Sequence, residues 1–331
     1  MQKGYPRPQM VRENWTDLNG VWNFLFDDQN AGEKQKWSEC FPAETQKITV
    51  PFTYETQLSG IHDTSFHPVV WYEREFTVSR TEKRQILHFE GVDHDAKVWV
   101  NGQFAGMHAG AYARFSLDIT DYMIEGTNTI TVRAEDSVSC SQPRGKQRWR
   151  DESFGCWYVQ TTGIWKTVWL EEVPQLYMET CRMTADFDNA KVLFEIKLNK
   201  KPADACRLNC RISMDGEETA ACEVRAGSEY IMFDVCVADA DTPWQMVPWS
   251  PQNPRLYDVK LTLSDGEGTD EAESYFGMRK IHIENGQILL NNVPLYQRLI
   301  LDQGYWEESH LTPPSEEALV QDIDLVLAAG Y

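Results

Sequence analysis

The chain has 331 residues, 42% of them hydrophobic and 12% aromatic, and a formal net charge of −20. That length exceeds one ordinary domain of ~100–200 residues, and the apolar content is enough for packed cores, which excludes a disordered chain. The acidic balance excludes a binder of nucleic-acid phosphates, since the longest basic cluster, residues 144–150, is broken by Gly145, Gln147 and Trp149 and followed at once by Asp151 and Glu152.

From Trp15 to about Val173 the sequence reads as many short strands. Trp22, Phe24 and Phe26 alternate with polar or small residues, and residues 71–78 form a further strand. Asn101-Gly102 lies between residues 97–100 and 103–105 and predicts a hairpin, because both turn positions need positive φ. Residues 129–134 and 167–170 close the set. Strands in this number with almost no helical periodicity predict a jelly-roll sandwich over residues 1–173.

Pro174 opens a second block that runs to Phe276. Val192, Phe194, Ile196 and Leu198 alternate, as do Ile231, Phe233, Val235 and Val237, and then Tyr257, Val259, Leu261 and Leu263. This pattern over residues 174–276 predicts an immunoglobulin-like β-sandwich. Cys206 and Cys210 fall on one face of another alternating run. They are read as buried free thiols, with a zinc pair as the rival, although no His or second Cys pair stands nearby at ligand spacing. All eight cysteines are expected reduced and mostly buried.

Residues 277–331 change character. Asn285-Gly286 predicts a hairpin, residues 295–301 an apolar strand, and Ser315 the N-cap of a helix with Glu316 and Glu317 in its first turn. Leu319, Ile323, Val326 and Leu327 line one face of that helix, and Gly330 is placed to end it. A strand followed by a helix opens a parallel α/β structure. The expectation is therefore the first strand and helix of a truncated (β/α)8 barrel, whose exposed apolar faces favour self-association into a homo-oligomer.

Several stretches carry a resemblance. Trp15-Thr16-Asp17-Leu18-Asn19-Gly20-Val21-Trp22-Asn23-Phe24 is similar to the opening of the sugar-binding domain of glycoside hydrolase family two, the β-galactosidase and β-glucuronidase family. Val50-Pro51-Phe52, Trp71-Tyr72-Glu73-Arg74-Glu75-Phe76, Phe89-Glu90-Gly91-Val92-Asp93 and the following Val98-Trp99-Val100-Asn101-Gly102 resemble later parts of that domain. Thr162-Gly163-Ile164-Trp165-Lys166-Thr167-Val168-Trp169-Leu170 resembles its last strand. Trp249-Ser250-Pro251-Gln252-Asn253-Pro254-Arg255-Leu256-Tyr257 is similar to a segment of the family's immunoglobulin-like domain, and Phe276-Gly277-Met278-Arg279 with Leu289-Leu290-Asn291 to its entry into the barrel.

The resemblance implies a retaining exo-glycosidase acting on O-glycosidic bonds, with two glutamates, one acid/base and one nucleophile, on the fourth and seventh barrel strands. Those strands are not in these residues, so the chain is expected to contain no catalytic residue and to be inactive alone, as the N-terminal part of a longer enzyme. Glu307 and Glu308 are adjacent, point apart, and are read as solvated.

A substrate rim is expected in two places. Barrel sites lie at the carboxyl ends of the strands, which nominates Asp302, Gln303, Tyr305 and Trp306. Relatives commonly carry Arg-Gly-Xaa-Asn-Arg-His here. In this chain Arg298-Leu299-Ile300-Leu301-Asp302-Gln303 matches only at Arg298, and a turn role for Asp302 competes. The loop 137–160 is the second place, because the family's corresponding loop reaches the barrel mouth; it nominates Arg144, Lys146, Gln147, Trp149 and Trp157, with domain packing as the alternative. Trp157 stands where relatives often have Asp, six residues before Gly163, so galactose or glucuronate selectivity does not carry over. The two segments are expected on one side of the molecule. His108 and Tyr112 are read as packing residues.

The expected partner is a carbohydrate, without nucleic acid, membrane, metal or cofactor. No stretch approaches the ~18 apolar residues of a membrane span. Because the opening residues lack an apolar signal core, a cytoplasmic location is expected and the glycosylation signal Asn14-Trp15-Thr16 is discounted. The competing readings are a stand-alone carbohydrate-binding module and an adhesion scaffold. The sequence from Phe276 favours the enzyme, since neither rival needs a barrel's first strand and helix.

Overall fold

The computed structural model describes residues 4–78, 81–139, 141–203, 206–238 and 241–331. Among the described residues the fold is all-β apart from the helix Glu316–Ala328 and three short 3-10 turns. The chain forms two compact units, one of Trp15–Glu172 with Leu299–Tyr331, the other of Met1–Asn14 with Val173–Arg298.

The unit that begins at Trp15 is a jelly-roll sandwich. Its six-stranded antiparallel sheet runs, in spatial order, Gln46–Val50, Gly20–Phe26, Val69–Val78, Gly126–Glu135, Asp95–Val100 and Gln103–Ala109. A four-stranded sheet of Trp15–Asp17, Val168–Val173, Arg84–Phe89 and Phe115–Asp118 faces it. Between them lie Trp22, Phe24, Tyr72, Leu87 and Phe89, each at most 1% exposed. The hairpin expected at Asn101-Gly102 is present, with φ of 51° and 77°. Asp93 and Ile164 belong to a small two-stranded ladder, Val92–Asp93 with Gly163–Ile164, that receives the chain after the long loop.

The other unit is an immunoglobulin-like sandwich. Met178–Asp186, Lys191–Leu198 and Tyr230–Cys236 form one sheet; Glu217–Arg225, Arg207–Met214, Tyr257–Ser264 and Thr269–Phe276 form the other. Burial alternates residue by residue along Lys191–Leu198 and Tyr257–Ser264, as the period of a strand with one face in a core requires. Residues before Asn14 run along this sandwich: Val11 exchanges backbone hydrogen bonds with Glu273 at 2.8 and 2.9 Å. Arg12 forks onto Asp270 at 2.7 and 2.9 Å and also donates to the Met178 carbonyl at 2.7 Å.

The cysteines divide by position. Cys206 and Cys210 are buried free thiols, as their alternation implies, and Cys181 and Cys222 are half-buried. Cys40, Cys156 and Cys236 are exposed, which corrects the expectation of mostly buried thiols. Cys40 and Cys156 lie outside the strands and Cys236 takes an outward position of its strand. Cys140 lies outside the described residues.

Past Phe276, Ile281–Glu284, Gln287–Leu290 and Val293–Pro294 make a small meander, with Asn285 and Gly286 in the expected turn. The apolar run at 295–301 is not a strand; Leu299 and Leu301 are 72% and 80% exposed. A strand needs a neighbour for its backbone groups, and none of the described residues forms a ladder with this run. The helix has the expected cap, Ser315 Oγ accepting from Ala318 N at 3.2 Å, but buries no residue. Among the described residues no helix is long and apolar enough to cross a membrane.

Candidate functional site

The long loop leaves the strand Gly126–Glu135 and folds back on its own first residue. Asp136 accepts from Arg144 at 3.2 Å and from Gln142 at 2.5 Å, and Arg144 donates further to the carbonyls of Ser137 and, at 3.2 Å, Arg148. Arg148 is buried, donating to Gln160 Oε1 at 3.0 Å, to Asp151 O at 2.7 Å and to the Thr64 carbonyl. Gln160 in turn donates to Ser65 O at 3.0 Å. Two arginines and two glutamines thus tie an otherwise irregular segment to the sandwich. No sequence pattern marks Arg148 or Gln160 for this role, because their partners are up to 96 residues away.

Beneath the loop lie three buried acids, of which only Asp93 falls in a motif that resembles the family. Asp93 and Asp136 are 1% and 7% exposed, and Glu55 is fully buried. Burial, then the charge of Asp136, pushes the Asp93 carboxyl up to about 8, against the opposing effects of Gln147 and Arg144. Burial likewise pushes Glu55 up to about 8, with the Thr53 and Thr162 hydroxyls nearby, and raises Asp136. Raised carboxyls are also what a general-acid site displays. Here all three are closed off from solvent; Asp93 and Asp136 are engaged by Gln147, Gln142 and Arg144 and hold the loop's base, whereas both Glu55 carboxyl oxygens are buried without a hydrogen-bond partner.

The nominated loop residues separate by burial. Arg144 and Gln147 are 7% and 1% exposed and bond within this base. Their side chains were the ones able to satisfy buried carboxylates and carbonyls. Lys146, Trp149 and Trp157 reach the surface. Trp149 meets Trp157 edge-on at 4.9 Å and Phe154 at 5.0 Å, Phe154 stacks on Trp157 at 5.2 Å, and the Arg150 guanidinium sits 4.3 Å from the Phe154 ring centre. The result is an accessible three-ring aromatic patch with a cation on its edge.

The second nominated segment meets this loop. Gln303 Oε1 accepts from Lys146 Nζ at 2.7 Å and from Tyr158 Oη at 3.3 Å, and the Tyr158 and Tyr305 rings lie 4.4 Å apart. Burial, with Tyr112, Tyr158 and Asp93 nearby, raises the Tyr305 phenol, which stays a neutral donor. Asp302 Oδ1 accepts from Gly304 N at 2.8 Å, the turn role that competes with a rim role. Trp306 pairs backbone to backbone with His310 at 2.9 Å in both directions, and Thr312 Oγ1 donates to Trp165 O at 2.6 Å. Glu307 and Glu308 are exposed. His108 stacks on Phe115 at 4.5 Å and Tyr112 donates to Arg144 O at 3.2 Å, the packing roles expected. Among the described residues no group of three or more His, Cys, Asp or Glu is placed to hold a metal ion.

Comparison with known proteins adds the family. The family described as "Glycosyl hydrolases family 2, sugar binding domain" matches residues 15–174, and "Glycosyl hydrolases family 2" matches residues 176–279. A β-glucuronidase of Paenibacillus borealis is 25% identical over 312 residues, covering 88% of this chain and 50% of the relative. A β-galactosidase of Pseudoalteromonas haloplanktis is 26% identical over 368 residues, covering 98% of this chain and 33% of the relative. The apo structure of the Ruminococcus gnavus β-glucuronidase has the same fold over 96% of this chain and 54% of its own, with a TM-score of 0.75 at 19% identity. The chain therefore spans half or less of the length of these two sequence relatives.

Proposed function

Because the chain belongs to glycosyl hydrolase family 2, we propose that it is the non-catalytic front portion of a retaining exo-glycosidase acting on β-glucuronides or β-galactosides. In this reading residues 15–173 are the sugar-binding sandwich, residues 174–276, with the segment before Asn14 bonded along them, the immunoglobulin-like sandwich, and residues 277–331 the start of a (β/α)8 barrel. The acid/base and nucleophile glutamates, which retention requires ~5–5.5 Å apart, lie outside these 331 residues.

The observation that carries the reading is the junction of Lys146 with Gln303 and of Tyr158 with Tyr305. It joins the loop to the segment that would follow the first barrel strand. Lys146, Gln303, Tyr305 and the Trp149–Trp157 patch then border the substrate, Trp306 and Asp302 shape the turn beside it, and Arg144 and Gln147 position the loop from below. Flat rings stack on the C–H faces of a sugar, and the phenol and lysine offer donors.

The test is a chromogenic β-glucuronide and β-galactoside panel run on these 331 residues and on the longer reading frame. Turnover is expected from the longer protein alone. Activity of the 331-residue chain that survives two unlike purification columns would overturn the assignment. A longer protein inactive on every glycoside, yet retained on a sugar matrix, would favour a carbohydrate-binding module; the exposed ring patch is the feature that keeps that reading alive.

A further inference from the structure

Cys210 on the strand Arg207–Met214 and Cys222 on Glu217–Arg225 stand directly opposite each other in an antiparallel ladder. Their hairpin closes through Asp215 and Gly216, with φ of 54° and 85°. Directly opposed antiparallel residues have Cα atoms about 4.5–5.5 Å apart, within the roughly 4.4–6.8 Å that a disulfide spans. Both side chains take the core-facing positions of their strands: Cys210 is fully buried and Cys222 packs at the edge of the same cluster. The two thiols are near enough to perturb each other's titration. Glu217–Arg225 is an outer strand of its sheet, and Cys222 is only half-buried.

We propose that Cys210 and Cys222 are a reversible oxidation site, a cross-strand dithiol converted to a disulfide by a peroxide. Cys222, the more accessible sulfur, attacks as its thiolate: an S–O bond forms, the O–O bond breaks, and hydroxide leaves and takes up the proton the thiol released. The Cys210 thiol then attacks the sulfenic sulfur; the S–S bond forms, the S–O bond breaks, and water leaves with the Cys210 proton. Two thiols and one hydrogen peroxide give one disulfide and two waters. Burial raises both thiols, Cys222 against the hydrogen bond it accepts, so the reaction is slow at neutral pH and quickens in alkali. The bond ties the outer strand to its neighbour and removes freedom from the unfolded chain. The site does not depend on the glycosidase reading.

The experiment treats the dilute 331-residue chain with hydrogen peroxide, blocks remaining thiols with iodoacetamide in denaturant, and digests with trypsin without reductant. Arg207, Arg211 and Arg225 place Cys210 in the peptide 208–211 and Cys222 in 212–225, separate from Cys181 and Cys206. The expected product is those two peptides joined, lighter than their sum by two hydrogens, restored by dithiothreitol and formed faster at alkaline pH. Cys222→Ser should abolish it, with Cys222→Ala as a second variant should the serine perturb folding. Exposed Cys40, Cys156 and Cys236 report that the oxidant has acted. Recovery of Cys210 alkylated after those have reacted, or its linkage to Cys181 or Cys206 instead, would overturn the proposal.

Discussion

Gln147 donates through Nε2 to Asp93 Oδ2 at 2.5 Å while its Oε1 accepts from Thr161 N at 2.9 Å. One amide thus joins the base of the long loop to the ladder strand Val92–Asp93 and to the segment that re-enters the sandwich. It stands beside Lys146, whose ammonium reaches outward to exposed Gln303. Neighbours in sequence therefore do different work.

Gln147→Ala should cost about 1–3 kcal/mol, because Asp93 and Thr161 N lose a buried partner that water cannot replace. Lys146→Ala, at the surface, should stay within about 0.5 kcal/mol. Urea denaturation of the two variants is the comparison, and equal losses would refute the division.

Stability should fall as pH rises from the ordinary carboxylate range toward about 8. Glu55 has its folded value pushed from 4.5 up to about 8, so in that window the folded chain holds a proton that the unfolded chain has released. The contribution is whole below 4.5 and lost as pH climbs through about 8. Asp93 acts in the same direction. Every tenfold difference in proton affinity between the folded and unfolded chain is worth about 1.4 kcal/mol. Glu55→Gln should raise Tm at alkaline pH and flatten its pH profile; a Tm that climbs across this window in the parent chain would contradict it.

Gly163→Ala should be among the most damaging single changes. Gly163 has a φ of +97°, and a Cβ there would lie 2.1 Å from the Tyr72 hydroxyl. Backbone strain and overpacking each cost about 1–3 kcal/mol. Tyr72→Phe removes the most severe clash, leaving ring carbons at 2.9 and 3.1 Å, but also the partner of Ile164 N at 3.3 Å. The double variant should therefore be less destabilised than the sum of the singles; strict additivity in a double-mutant cycle would show that the clash is not the cause.

If the proposed function holds, Trp149→Ala and Trp157→Ala in the longer protein should each lower kcat/KM about 2- to 10-fold, the loss of one stacked aromatic contact. Phenylalanine at either position should retain most of it. Unchanged kcat/KM with both rings gone would remove the patch from the substrate border.

Local features were legible in the sequence. The alternation at Val192, Phe194, Ile196 and Leu198, the positive φ of Asn101, Gly102, Asn285 and Gly286, and the Ser315 cap are all present in the fold. Each depends on contacts a few residues long: a period of two, a turn that needs left-handed backbone, an orphan N–H beside a hydroxyl. The apolar run at 295–301 reads as a strand by the same local logic, but pairing is not a local property, and the run has no ladder among the described residues.

The sequence by itself determined the alternating sandwich strands, the Asn-Gly turns, the helix cap and, through its motifs, the family. Only the tertiary structure decided which residues of the long loop face solvent. Arg144 and Gln147 look like cleft residues in a row of letters, and they turn inward because Asp136 and Asp93 lie buried below them. The fork from Arg12 to Asp270 spans 258 positions and attaches the opening residues to the second sandwich rather than the first. A side chain's polarity is written in its own residue, whereas the partner that satisfies it is fixed by which distant segments the fold brings together, and no local pattern encodes that.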